Sequence, residues 1–265
     1  MNSIKELHLN TVNEHHVQSL VYAQTIQNGL LPKSRHFEKH FSDYFVYYAP
    51  QNKISGDFYW LLKKENIVYF ALADCTGHGT SAAMLSVLGI SLLNYIIQKK
   101  FEKIGDYLTE LDKKWIETFN NETHDTYFNN DWLEITLVAY NTIDKTLEYA
   151  SAGGEFAVIQ NNEINLFKGN SFPIGGWQIE KNRSFETFKI ELKEATSLYF
   201  FSDGVKHQFD ENNSKKFSRK RLLNVLQNYS NETMGKQKEL FEFVFETWKG
   251  NMHQTDDVSL VGIRL

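Results

Sequence analysis

Four aspartates carry the chemistry that this chain could perform. They are Asp57 in Ile54-Ser55-Gly56-Asp57-Phe58-Tyr59-Trp60, Asp74 in Asp74-Cys75-Thr76-Gly77-His78-Gly79, Asp203 in Phe201-Ser202-Asp203-Gly204, and Asp256 in Thr255-Asp256-Asp257-Val258-Ser259-Leu260. Each is read as the end of an apolar, strand-like run, with Gly56, Gly77, Gly79 and Gly204 clustered beside them. A strand delivers its terminal residue to a fixed place at a sheet edge, and glycine lets the backbone turn there or lets another atom come close. Carboxylates gathered in this way repel one another unless cations hold them, and all-oxygen donors suit hard ions such as Mg²⁺ or Mn²⁺. Two such ions, roughly 3.5–4 Å apart, would acidify a bridging water and grip a phosphoryl oxygen, which suits hydrolysis of a phosphate ester. Taken singly, each aspartate has a structural alternative. Asp203-Gly204 could be a hairpin turn, Asp74 could cap the helix after Gly79, and Asp256-Asp257 could be an exposed turn.

The elements that must position these groups follow from periodicity. Residues Asn13 to Leu31 read as a helix that stops at Pro32. Along it Leu9, Val12, His16, Ser19, Ala23, Ile26 and Leu30 form a weak heptad-like stripe, open to reading as a docked face, a dimer seam or a signalling helix. Pro32 to Lys39 reads as the joint to the main domain. Short runs rich in aromatic and β-branched residues then predict strands at 44–49, 58–62, 67–73, 133–140, 146–151, 156–160, 185–190, 197–201 and 258–264. Helices are predicted at 79–99, with Thr80 or Ser81 as N-cap and burial on most faces, and at 103–119, 218–228 and 233–248. Asn120 to Asn130 reads as a loop. Many strands with paired helices predict an α+β fold of antiparallel sheets with helices outside.

Composition limits the partners. The chain has 265 residues with 42% hydrophobic and 14% aromatic content, enough for a substantial core. The net charge, 28 − 33 = −5, argues against broad electrostatic binding to nucleic acid or to anionic membranes. The single cysteine, Cys75, fits a reducing compartment. No run reaches the roughly 18–20 apolar residues of a membrane span. The start, with Glu6, His8, Asn10 and Asn13, lacks a signal peptide's basic and apolar regions, so a cytoplasmic location is expected.

In order and spacing, the four aspartate segments together with Ala82-Ala83 and Phe172-Pro173-Ile174-Gly175 resemble the SpoIIE/RsbU-like branch of the metal-dependent (type 2C, PPM) protein serine/threonine phosphatases. Ala23-Gln24-Thr25-Ile26-Gln27 through Leu30-Leu31-Pro32 resembles the helix that precedes such domains in signalling proteins, so the similarity runs from about Tyr22 to the C-terminus. The resemblance implies a four-layer α-β-β-α sandwich, with residues 1–31 as a linker or regulatory helix and 32–265 as the phosphatase domain. It implies two Mn²⁺ or Mg²⁺ ions bridged by Asp74 and held by Asp203, Asp256, the Cys75 carbonyl and Asp57, the last through water or as part of one shell. Asp57, Asp74, Asp203 and Asp256 are thus the candidate catalytic residues, and Asp257 a support. The substrate would be phosphoserine or phosphothreonine on a regulatory partner, for instance a STAS-type anti-sigma-factor antagonist. The N-terminal helix is a candidate contact for a second copy or an upstream sensor.

Several residues depart from the family pattern or invite bland readings. His78 follows the metal aspartate at a different offset from the histidine of eukaryotic relatives and reads as a turn-shaping residue. Those relatives bind phosphate with an arginine close to the first aspartate. Here only Lys53 stands nearby and is the candidate substrate-binding residue, against the alternative of a solvated lysine. Ala152-Gly153-Gly154-Glu155 lacks the histidine or asparagine often found at that place in relatives. Asp131 and Glu134 are candidates for a labile third ion, against a polar-loop alternative. The basic run Lys215, Lys216, Arg219, Lys220 and Arg221 reads as a solvated face, and the dispersed tryptophans as packing residues. A metal-free binding module that kept the fold is the competing function. Nucleotide hydrolysis is a weaker third, since no Gly-x-x-x-x-Gly-Lys loop is present.

Overall fold

The structure, a computed structural model, describes residues 2–119, 130–176 and 183–265, with side chains described at His15 and from Val17 onward. Its elements are α1 (Asn2–Leu30), α2 (Ser34–Glu38), β1 (Asp43–Ala49), β2 (Phe58–Lys64), β3 (Ile67–Cys75), α3 (Thr80–Ile96), α4 (Ile104–Phe119), β4 (Trp132–Asn141), β5 (Thr146–Ala152) and β6 (Glu155–Gln160). They continue with β7 (Glu163–Lys168), β8 (Ile174–Gly175), β9 (Phe188–Ile190), β10 (Ser197–Phe201), α5 (Asp203–His207), α6 (Ser218–Asn228), α7 (Met234–Lys249) and β11 (Val258–Arg264). One sheet runs β1-β11-β10-β6-β7 and the other β2-β3-β4-β5-β9, with β8 added beside β4. Neighbouring strands in both are antiparallel.

Three apolar layers hold the sandwich together, giving the expected four-layer α-β-β-α architecture. Phe70, Val138, Phe156, Leu198, Phe200 and Val261 fill the space between the sheets. On the outer face of the second sheet, Leu85, Ile90 and Leu93 of α3 meet Leu108, Leu111 and Trp115 of α4. On the outer face of the first, Leu222 of α6 and Phe241 and Phe245 of α7 meet Tyr199 and Leu260. Strand β3 is buried on both faces along most of its length, as a strand between two layers must be.

Several expectations need correction. Helix α1 begins at Asn2 rather than Asn13. Its buried residues are Gln27 and the following Leu31, while Ile26 and Leu30 of the heptad-like stripe are exposed; Leu9, Val12 and His16 lie outside the described side chains. The 32–39 joint contains α2, whose Phe37 stacks on Tyr44 at a centroid distance of 4.8 Å. The N-cap of α3 is Gly79 at φ 77°, a left-handed value that L-residues avoid, so neither Thr80 nor Ser81 caps it. That helix is not buried all round, because Met84 and Tyr95 face solvent. The predicted strand at 185–190 shrinks to β9, and β7, β8 and α5 had no expected counterpart. The expected 120–130 loop lies outside the described residues except at Asn130, as does Trp177.

Candidate functional site

The four aspartates come from β-strand ends in both sheets, so the site sits where the sandwich opens at one edge. Asp74 is the next-to-last residue of β3, and Asp203 follows β10 as the first residue of α5, not as a hairpin turn. Asp57 and Asp256 precede β2 and β11 rather than ending strands. Asp74 pairs across the ladder with Glu134 of β4. Asp74, Glu134 and Asp203 line one cleft, together with Gly153, Gly154, Glu155 and Lys206.

Close backbone approach explains the glycines. A Cβ at Gly56 would lie 3.1 Å from the Cys75 carbonyl oxygen and 2.9 Å from Ala82 Cβ, so only glycine lets the Asp57 loop pass that carbonyl. A Cβ at Gly204 would fall 2.0 Å from the Asp257 carbonyl oxygen, so Gly204 lets α5 close onto the turn that carries Asp256.

The adjacent aspartates of that turn differ. Asp257 is buried; its Oδ1 accepts from Gln51 N at 2.7 Å and its Oδ2 from Gly56 N at 2.7 Å, which braces the loop before Asp57. Asp256 is half-buried, and its Oδ1 accepts the Asp257 amide at 2.8 Å. Asp57 is almost fully buried; Oδ2 accepts from the Ser259 hydroxyl at 2.6 Å, while Oδ1 has no partner of hydrogen-bond geometry among the described residues, although the Ser202 hydroxyl lies near the carboxylate. A buried carboxylate oxygen without a donor is costly unless something absent from the protein partners it.

Electrostatics point the same way. Burial lifts Asp57 to about 7, opposed by hydroxyls of Ser202 and Ser259 and reinforced by the charges of Asp257 and Asp256. Burial pushes Asp74 well above the usual carboxylate range, and the charges of Asp57, Asp203, Asp256 and Glu134 push it further. Glu134 is raised to about 7 by burial and by Asp203. Asp256 is raised by burial, with Asp203 adding to the shift. Such a set favours protons or cations over solvent. Its donors are oxygens, and with the orphaned Asp57 Oδ1 it fits Mg²⁺ or Mn²⁺ chemically. Among the described residues no three carboxylate, imidazole or thiol groups are gathered into a ligand set as they stand.

The remaining candidates are placed as follows. The Cys75 side chain is buried, and burial pushes its thiol up. His78 is exposed. Lys53 is exposed and borders a different groove, with Leu20, Asn52, Gly79 and Thr80. Asp131 is held through its carbonyl, which accepts from Trp115 Nε1 at 3.1 Å and Gly176 N at 3.1 Å. Two features escaped the sequence reading. Glu155 at the cleft wall gathers three cations, among them Arg219 from the run read as solvated. Gln27 of α1 reaches the loop before Asp57: its Oε1 accepts from Ser55 N at 3.0 Å and its Nε2 donates to Ser55 O at 2.6 Å and Ser86 Oγ at 2.9 Å. A glutamine two residues after Thr25 carries no local signal for either contact.

An antiparallel double sandwich with carboxylates at its open edge is the architecture of PP2C-type phosphatase domains, and the comparisons with known proteins agree. Residues 64–265 match the family described as Stage II sporulation protein E (SpoIIE), and the chain belongs to that family. It is 23% identical over 167 residues to the phosphoserine phosphatase RsbU of Bacillus subtilis (strain 168), covering 62% of this chain and 46% of that protein. The chain thus spans about half the length of that curated relative. Among solved structures, the SiaA PP2C domain of Pseudomonas aeruginosa superposes with a TM-score of 0.84 at 21% identity, over 96% of this chain and 98% of that one. RsbX in complex with magnesium superposes with a TM-score of 0.57 at 13% identity, over 84% and 94%. Among the described residues no helix is long and apolar enough to cross a membrane.

Proposed function

We propose that this chain is a metal-dependent protein phosphatase that hydrolyses phosphoserine or phosphothreonine on a regulatory partner. The observation that carries the reading is the mutually repelling carboxylate set, buried at Asp57 and half-buried at Asp74, Asp203 and Asp256, with no donor to Asp57 Oδ1 among the described residues. Family membership supports it, and the phosphoserine phosphatase name of RsbU and the magnesium bound to RsbX point to the same chemistry in relatives. Asp74, Asp203, Asp256, Asp57 and the Cys75 carbonyl are the groups that would hold two Mn²⁺ or Mg²⁺ ions, with Glu134 beside them as a ligand for a labile third. Bound there, the ions supply Lewis acidity and an activated water for attack on phosphorus. The protein's own part is to hold these carboxylates on rigid strand ends: Asp257 braces the Asp57 loop, Ser259 orients Asp57, and Gly204 seats Asp203 against the Asp256 turn. Within this reading, residues 1–31 serve as a regulatory helix that contacts a second copy or an upstream sensor, and 32–265 are the catalytic domain. A STAS-type anti-sigma-factor antagonist in the cytoplasm is the finer candidate for the partner.

The test is phosphate release from p-nitrophenyl phosphate or a phosphopeptide by purified protein with Mn²⁺. Asp74→Ala and Asp203→Ala should each reduce turnover by at least about 100-fold while the fold is retained by circular dichroism. Wild-type rates in both variants would overturn the di-metal reading. Calorimetry without detectable Mn²⁺ or Mg²⁺ binding at millimolar concentration would overturn the metal-dependent reading and leave a non-catalytic binding module that kept the fold.

A further inference from the structure

A second charged cluster adjoins the carboxylate cleft and has the opposite sign. The Glu155 side chain, only 9% exposed, is met by Lys206 Nζ at 3.1 Å on Oε1, and by Arg219 NH1 at 2.9 Å and Lys168 Nζ at 3.4 Å on Oε2. One carboxylate against three cations leaves two positive charges in excess, contributed by α5, α6 and β7 around the first residue of β6. A structural ion pair needs one cation; three around a single carboxylate leave donors for another anion.

Lys206 is the cation best placed to use that excess. It is the one cation among the described residues that line the cleft of Asp74, Glu134 and Asp203. It stands one helical turn after Asp203, so the element that presents an acid to the cleft presents the amine as well. Its charge acts on Glu134 across that cleft. Its side chain is 22% exposed and lines the cleft, and Glu155 anchors it, which limits the ordering needed on binding. The wall is built for this approach: a Cβ at Gly153, where φ is +74°, would come within 2.9 Å of Glu134 Cγ, so glycine there lets the chain turn tightly past Glu134 and bring Glu155 to the rim. Lys53 borders another groove and offers no charge here.

We propose that Lys206, held by Glu155, is the positioning residue for the substrate's phosphate, and that Arg219 and Lys168 extend the same cationic edge toward acidic side chains beside the phosphorylated residue. The proposal deepens the phosphatase reading by naming the substrate class, a phosphoserine or phosphothreonine peptide with acidic neighbours. A compact ammonium opposite the acidic groups of the cleft receives a phosphate dianion that those carboxylates would otherwise repel.

The experiment uses the full chain loaded with Mn²⁺ and inorganic phosphate as the probe, with both affinities measured by calorimetry for wild type, Lys206→Ala and Lys206→Arg. Lys206→Ala should weaken phosphate binding about tenfold or more and leave Mn²⁺ affinity unchanged or tighter, because a cation beside the acids is gone. Lys206→Arg, which keeps the charge and the contact with Glu155, should restore phosphate affinity to within about threefold. With a phosphopeptide, the loss should fall on KM more than on kcat. Equal phosphate affinity in Lys206→Ala and wild type overturns the proposal, as does a parallel loss of Mn²⁺ affinity, which marks a collapsed site. Absence of phosphate binding to the Mn²⁺-loaded wild type overturns it too. Lys206-dependent phosphate binding without turnover would sink the phosphatase reading while this inference stands; turnover with unchanged phosphate affinity in Lys206→Ala would do the reverse.

Discussion

The space between the two sheets and the cleft at their open edge are built from the same strands, yet they are opposite kinds of environment. Between the sheets, Phe200 stacks on Phe156 with centroids 5.1 Å apart and planes 7° from parallel, and meets Phe70 at 4.7 Å. Three residues beyond Phe200 stands Asp203 and four beyond Phe70 stands Asp74, where like charges crowd and Asp57 keeps a buried oxygen without a donor among the described residues. The middle of each strand is satisfied and the end is not. The aromatic layer supplies the rigidity needed at the cleft. The carboxylates themselves oppose folding in the absence of a cation.

Mutations in the two regions should act on different properties. The largest effect is expected from Phe200→Ala, which opens a cavity between the sheets and should destabilise the fold by about 3–5 kcal/mol in chemical denaturation. A loss below 1 kcal/mol would mean that the aromatic layer is not the scaffold. Next comes Asp257→Asn, which places an amide NH₂ against the Gln51 or Gly56 N–H; about 1–3 kcal/mol should be lost, along with Mn²⁺ affinity through the loosened Asp57 loop. Calorimetry on that variant separates brace from bystander.

Asp57→Asn should act in the opposite direction on the ligand-free protein, raising stability at pH 8 on the order of 1–2 kcal/mol while weakening Mn²⁺ binding. The sign follows from linkage. Asp57 is raised from an ordinary 3.8 to about 7, so between those values the folded state holds a proton that the unfolded state has lost. Stability of the ligand-free protein therefore falls as pH rises from about 4 through 7, and the asparagine variant should show a flatter profile. A profile that rises through that window would refute the assignment of a strained, buried Asp57. The smallest effect is expected from Gln27→Ala, at about 1 kcal/mol by thermal denaturation, since it removes contacts between α1 and the Asp57 loop but leaves the sandwich intact.

Much of the architecture was legible because it rests on local patterns. The short aromatic and β-branched runs of β4, β5, β6, β10 and β11 stand within two residues of their expected limits, and α6 spans Ser218–Asn228 as expected. The failures have physical causes. Helix α2 is only five residues long and owes its place to Phe37 packing under the sheet edge, a tertiary contact without periodicity. Short β8 is defined by pairing with Trp132 and Leu133, and Gly175 N donates to Asp112 Oδ1 at 2.8 Å from a distant helix. At the site, the aspartates were visible by type and by neighbouring glycine. The difference between Asp256 and Asp257 was not, because it depends on which of two adjacent carboxylates turns toward amides that lie some 200 residues earlier in the chain.

Amino-acid order alone pointed to the class of chemistry proposed above, because acids gathered beside glycines call for cations, and it determined the fold class, because apolar runs of strand length need a sandwich to bury both faces. It also singled out Lys53 near the first aspartate, set Arg219 in a solvated basic run and gave Lys206 no role. The tertiary structure reversed that order. Lys53 borders a separate groove, Arg219 joins Lys168 on Glu155, and Lys206 turns from α5 into the cleft of Asp74. Charge is a property of one residue and can be read in isolation. The field that gives a charge its role is a sum over neighbours that only folding brings within reach.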